Sequence, residues 1–205
     1  MFFMLDILAT NPIIFLMLIL SLVVCITIHE FAHAYVAYKL GDPTAKYLGR
    51  VTLDPRSHVD LYGMLFLIIA GFGWGRPVPY NEINLRNPKK DAALIAFAGP
   101  MSNFTLAMIV GLIINFIDLG TIINTFLVYL AYYNIILGVF NLLPFHPLDG
   151  FKIVTGVLPY SLAYQWKQTE NYGIFILLFL VFTDNISRLV FPAVGFLSAF
   201  IGLPL

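Results

Sequence analysis

Hydrophobic residues in this chain come in long unbroken runs rather than in amphipathic stripes. Pro12 to Ile28 carries no charge and is almost wholly apolar, and a helix-compatible pattern continues through Tyr38. Asn11-Pro12 is a cap-plus-proline start, and Leu40-Gly41-Asp42-Pro43 provides a glycine cap followed by a proline stop. Ala92 to Ile117 and Ile122 to Leu143 are also long enough to span a bilayer, with a tight turn at Asp118-Leu119-Gly120 between them. Leu61 to Trp74 is apolar but short. At about 1.5 Å per residue it reaches only ~20 Å against a ~30 Å hydrocarbon core, which suits a re-entrant or short segment. Thr44 to Asp60 turns polar, and Tyr47 to Leu53 predicts a short extended piece or β-hairpin. Pro144 and Pro147 stop the fourth apolar run. Phe151 to Trp166 predicts a short interfacial helix, and Tyr172 to Phe182 and Leu189 to Leu205 make one or two further membrane segments.

Composition agrees with the pattern. Of 205 residues, 60% are hydrophobic and 11% charged, with a mean hydropathy of +0.89. Soluble domains carry about 25% charged residues, so a multi-pass membrane protein is expected. The zero formal net charge argues against a nucleic-acid surface, and the single cysteine, Cys25, excludes an internal disulfide framework. The first apolar run lacks a basic leader, which speaks against a cleaved signal peptide. Ten of the eleven basic residues fall in the stretches Lys39–Arg56, Arg76–Lys90 and Lys152–Lys167. The positive-inside rule puts those loops in the cytoplasm and the N-terminus outside a cell membrane.

His29-Glu30-Phe31-Ala32-His33 then stands out, because it carries ionisable groups into the first spanning helix. A carboxylate near the bilayer centre costs ~2.5–3.5 kcal/mol even on the lenient insertion scale, so such groups face a protein interior and serve a function. His29 and His33 are one helical turn apart on one face and can reach a single metal ion. Glu30 beside them is placed to take a proton from a water on that metal rather than to ligate it. Catalytic zinc needs a third protein ligand. Asp149, His146, His58, Asp118 and Asp184 are candidates, and Asp149 leads because the Pro144–Gly150 break frees the backbone there. An N-cap for the helix from Phe151 is an equal alternative for Asp149. Cys25, a turn before His29, would close the site as a fourth ligand and is better read as a small buried side chain. Asn103 and Asn141 are amides in hydrocarbon. An interhelical hydrogen bond is the simpler reading of both, and an oxyanion donor or substrate clamp the chemical one.

In order along the chain, His29-Glu30-Phe31-Ala32-His33, Gly99-Pro100-Met101-Ser102-Asn103 and Asn141-Leu142-Leu143-Pro144 leading to Leu148-Asp149-Gly150 resemble the motifs of the site-two protease family of intramembrane zinc metalloproteases. The likeness is to the compact prokaryotic branch without PDZ or CBS domains. It implies one zinc ion held by His29, His33 and Asp149, with Glu30 as general base and acid. It also implies Asn141 as a group that positions substrate or stabilises the oxyanion. His146 and Phe151 depart from the small residues usual at those positions.

The chain is therefore expected to be a single all-α polytopic membrane domain over residues 1–205. The catalytic core would cover about 12–158 and C-terminal membrane segments about 168–205. About four to six membrane segments are expected, with one short or re-entrant segment and a small β-hairpin near the active site. The expected activity is cleavage of a membrane-protein substrate, a transmembrane helix or remnant signal peptide, near the cytoplasmic face. A non-catalytic membrane metal-binding or transport protein is the alternative, although the chain shows no internal repeat of the kind transporters carry.

Overall fold

The computed structural model describes residues 3–71 and 73–203. Phe72 of the short apolar segment and Pro204 and Leu205 at the C-terminal end lie outside the described residues. Among the described residues ten α-helices follow one another and no strand occurs: α1 Phe3–Thr10, α2 Pro12–Lys39, α3 Thr44–Tyr47, α4 Leu61–Ala70, α5 Pro88–Phe116, α6 Thr121–Asn141, α7 Asp149–Val157, α8 Tyr160–Lys167, α9 Glu170–Phe182 and α10 Asn185–Phe200. Of these, α2, α5 and α6 are long and apolar enough to cross a membrane alone. The pair α9–α10, bent by 82° at its break, would make a fourth crossing if it is one broken span. That is the low end of the expected number, because α4 closes after ten residues at Gly71, whose φ is +81°.

The long helices begin and end where side chains and ring constraints dictate. The Asn11 side chain accepts the Ile14 amide at 3.1 Å, with Pro12 in the first turn of α2. The Asp91 carboxylate reaches back to the Asn87 amide at 2.8 Å to start α5. Helices α2, α5 and α6 pack on one another, with α7 against α5 and α10 against α6. Their shared core is built of Cys25, Ala107, Val110, Leu130, Ala131, Ile135, Val190 and Val194. Outward-facing Ile13, Leu16, Leu20, Met108 and Leu112 stay exposed, as an apolar solvent requires of a membrane protein.

Two expectations are corrected. No β-hairpin forms over Thr44–Asp60. Thr44–Tyr47 is a helical turn, closed where Gly49 adopts φ +68° and the Arg50 amide reaches back to the Ala45 carbonyl at 2.8 Å. A left-handed glycine cap satisfies these backbone groups locally, so no strand partner is needed. A lone antiparallel bridge between Val59 and Gly75 is all that remains of sheet pairing among the described residues. The predicted helix Phe151–Trp166 is two helices, α7 and α8, because Pro159 cannot continue α7 and presets the turn before Tyr160.

The connection from Gly41 to Asn87 joins the C-terminal end of α2 to the start of α5 and forms a roof that lines the metal cavity through Pro77, Val78 and Tyr80. Three buried polar side chains pin it. Asp42 accepts the Asn81 amide and the Asn84 side chain, both at 2.7 Å, and the Thr44 hydroxyl at 2.6 Å. The Arg50 guanidinium donates to the Arg76 and Pro77 carbonyls. His58 donates through Nε2 to the Thr52 carbonyl at 2.8 Å.

Candidate metal centre

Within α2, the four-residue spacing of His29 and His33 puts both rings on the face packed against α5. Both are buried, at 5% and 8% exposure. Their outer nitrogens are spent on acceptors. His29 Nδ1 lies 2.7 Å from Asn103 Oδ1, and His33 Nδ1 lies 2.7 Å from the Ile95 carbonyl. A carbonyl oxygen can only accept, so each ring carries its proton on Nδ1 and turns an Nε2 lone pair inward.

Asp149 completes the cluster. It is the first residue of α7 rather than its cap, and its carboxylate makes no capping hydrogen bond. Oδ2 instead lies 3.1 Å from His29 Nε2 and 3.3 Å from His33 Nε2, and the two nitrogens are 3.0 Å apart. Buried Asp149 Oδ2 has no hydrogen-bond donor among the described residues. With both rings neutral, three lone-pair atoms converge, a donor set suited to a cation at its centre. Ligand atoms about 2.0–2.1 Å from a tetrahedral zinc are ~3.3 Å apart, so the observed edges fit that ion. Among the described residues, this is the one group of three or more His, Cys, Asp or Glu side chains that could hold a metal.

The glycine of the Gly99–Asn103 motif has a steric reason. A Cβ at Gly99 would lie 2.4 Å from His33 Nε2 and 2.6 Å from His29 Cε1, so α5 comes this close to the imidazoles only with glycine there.

Glu30 lines the same cavity, of about 120 Å³, as His29, His33, Asp149 and Asn141. Its Oε2 accepts the Val78 amide at 3.0 Å. Val78 belongs to an irregular stretch, Arg76–Tyr80, whose Pro77, Val78 and Tyr80 line the cavity and whose Arg76 and Pro77 carbonyls accept from Arg50.

The two asparagines separate. Asn103 is fully buried. Both its amide hydrogens are used, on the Cys25 carbonyl at 3.2 Å and on Asn134 Oδ1 at 2.8 Å, and its oxygen faces His29. No N–H of Asn103 is left for a substrate oxyanion, so that expectation is corrected to support of His29. Asn141 ends α6, donates to the Leu137 carbonyl at 3.0 Å and lines the cavity. Its second amide hydrogen and its oxygen have no partner among the described residues.

The other candidates lie elsewhere. His146 sits 3.4 Å from Glu170, and His58 is buried in the roof. Asp118 caps the turn before α6, and Asp184 accepts from Ser187 at the α9–α10 break. Cys25 Sγ approaches the Leu130 carbonyl rather than the metal group. Asn134, Arg50 and the Val78 amide were missed by sequence reasoning. Only Asn134 left a trace, as a polar residue inside an otherwise apolar span.

Two imidazoles, a carboxylate and an adjoining glutamate in a helical membrane core define a zinc-dependent protease. The chain belongs to Peptidase family M50, whose family model matches residues 17–121 and 117–183. It is 38% identical over 184 residues to "Putative zinc metalloprotease YwhC" of Bacillus subtilis (strain 168), covering 85% of this chain and 84% of that relative. It is 28% identical over 191 residues to "Putative zinc metalloprotease Rip2" of Mycobacterium tuberculosis (strain ATCC 25618 / H37Rv), covering 90% and 73%. "Zinc metalloprotease MJ0392" of Methanocaldococcus jannaschii is 28% identical over 182 residues, 86% of this chain and 46% of that relative. No solved structure matches the chain significantly.

Proposed function

We propose that this membrane protein is an intramembrane endopeptidase that cuts substrates within or next to their transmembrane segments, near the cytoplasmic face. One observation carries the reading: His29, Glu30 and His33 sit on α2, a helix long enough to cross a bilayer and packed against a second such helix, α5, with Asp149 brought to them by α7. His33 is six residues and His29 ten residues from Lys39 at the end of α2, ~9 and ~15 Å along the axis. The reacting atoms therefore lie below the level of the basic loops, and a substrate must reach them at membrane depth. The cytoplasmic assignment rests on the lysines and arginines gathered at that end.

His29, His33 and Asp149 would hold the zinc, which supplies Lewis-acid polarisation of a carbonyl and a lowered water pKa when bound. Glu30 takes the proton of the attacking water and returns it to the leaving nitrogen. The Val78 N–H occupies Oε2, which leaves Oε1 to take the proton. Asn141, with an unused amide hydrogen at the cavity wall, donates to the carbonyl of the scissile bond or its neighbour. A helical substrate must unwind locally, because its carbonyls are otherwise bonded within the helix.

The test is cleavage of a single-span model substrate by purified protein in liposomes, with Glu30→Gln alongside. Cutting should fall about 10²–10⁴-fold while bound zinc stays at one per chain. A Glu30→Gln protein that keeps its zinc and cuts as fast as wild type removes the assignment.

A further inference from the structure

Behind His29 lies a chain of buried amides that the hydrolytic reaction does not touch. His29 Nδ1 donates to Asn103 Oδ1 at 2.7 Å, and Asn103 Nδ2 donates to Asn134 Oδ1 at 2.8 Å. Asn134 Nδ2 in turn donates to the Leu130 carbonyl at 2.8 Å. Asn103 and Asn134 are both fully buried, on α5 and α6, and His29 is on α2. The chain therefore ties together the three long helices at the depth of the metal group.

The direction of these bonds is not free to reverse. The chain ends on a backbone carbonyl of α6, which can only accept, so Asn134 must present its NH₂ to Leu130 and its oxygen to Asn103. Asn103 must then present its NH₂ to Asn134, and the Cys25 carbonyl demands the same of it at 3.2 Å. Its oxygen is left for His29, which keeps the proton on Nδ1 and the lone pair on Nε2. With Asn103 flipped, Nδ1 would become the acceptor and Nε2 would carry the proton, and a protonated nitrogen cannot bind metal.

We infer that Asn134 is a positioning residue for the metal: through Asn103 it locks His29 in the metal-binding tautomer and so sets zinc affinity. The inference rests on zinc being held by His29, His33 and Asp149. A buried apolar residue at 134 would leave one Asn103 hydrogen unpaired in hydrocarbon, and only the Cys25 bond would oppose the flip. Asp at 134, protonated in this apolar site, keeps an oxygen facing Asn103 and an O–H for the Leu130 carbonyl, whereas Leu keeps the size and removes both polar ends.

The test uses the zinc-loaded full-length chain in detergent, competed against a chromophoric chelator, for wild type, Asn134→Leu and Asn134→Asp. Asn134→Leu should bind zinc about 10–100-fold more weakly, with an altered visible spectrum when cobalt replaces zinc. Asn134→Asp should recover most of that loss. Wild type that holds no zinc overturns the metal centre and this inference together. Wild-type binding with Asn134→Leu within about twofold of it overturns this inference alone. The tautomer is also read without any variant, from ¹⁵N-labelled histidine in the wild-type protein. A His29 signal with the proton on Nδ1 is expected, and one with the proton on Nε2 overturns the inference even if Asn134→Leu does not fold.

Discussion

The floor of the site and its roof are held by different means. The floor is the meeting of α2, α5 and α6, where His29, His33, Asn103 and Asn134 are fixed by regular helices and by one another. The roof, from Gly41 to Asn87, holds only the short helices α3 and α4 and single turns among its described residues. It is held by Asp42, Arg50 and His58, each of which grips backbone groups brought from elsewhere in the loop. A floor of packed helices fixes ligand atoms to the tolerance a metal requires. A roof pinned by single polar side chains is ordered by a few hydrogen bonds, and local opening is expected to cost least there.

The largest effect should come from breaking the floor sterically. Gly99→Ala puts a methyl group 2.4 Å from where His33 Nε2 now lies. Zinc content should drop below one-tenth of wild type and cutting should fall to background, while the helical circular dichroism is kept. Metal analysis of the purified variant checks this. Zinc at wild-type level would mean that α5 does not approach the imidazoles as described.

A roof substitution should behave differently. Arg50→Met removes the donors to the Arg76 and Pro77 carbonyls, bonds to a charged group worth about 1.5–3 kcal/mol each. Amide exchange across Arg76–Tyr80 should speed up by about ten- to a hundredfold, with zinc affinity within about twofold of wild type. If zinc is lost as well, floor and roof are one unit and the contrast fails.

The smallest effect concerns pH. Burial pushes the His58 imidazole below its ordinary 6.5, aided by the nearby Arg50, although the Thr52 carbonyl opposes the shift. Its proton is therefore bound more readily in the unfolded chain. The stability this neutral histidine contributes is complete above about pH 6.5 and is lost as the pH falls towards the lower folded value. Melting temperature should drop by a few degrees between about pH 7 and 5.5, and by less in His58→Gln, whose amide can still donate to Thr52. Protonation of the metal ligands is common to both proteins, so the difference between them isolates His58. Equal slopes would show that His58 carries no such dependence.

Much of the floor was legible in the sequence. Asn11-Pro12 and Gly41 bounded α2, and the four-residue histidine spacing only has meaning once a helix is certain. The resemblance of Leu148-Asp149-Gly150 to a known motif supplied the third ligand, where spacing alone left a capping role equally open. The roof was not legible, because its order comes from side chain-to-backbone bonds between distant residues. Nothing in Arg50 says that it will reach the carbonyls of residues 76 and 77, and a β-rich stretch from Tyr47 to Leu53 reads as strand until Gly49 is seen to close a helical turn. Asn134 was illegible for a related reason. An amide in the middle of an apolar helix announces a partner without naming it, and here the partner is another amide on a different helix.

The central claim is that His29, His33 and Asp149 bind one zinc ion. X-ray absorption at the zinc edge, on the purified zinc-loaded chain, tests it most directly. The expected first shell contains two imidazole nitrogens at about 2.0–2.1 Å with oxygen ligands and no sulfur, and Asp149→Ala should lose an oxygen or the metal itself. A sulfur at about 2.3 Å, which only Cys25 or a methionine could supply, or a shell unchanged in Asp149→Ala, would contradict it.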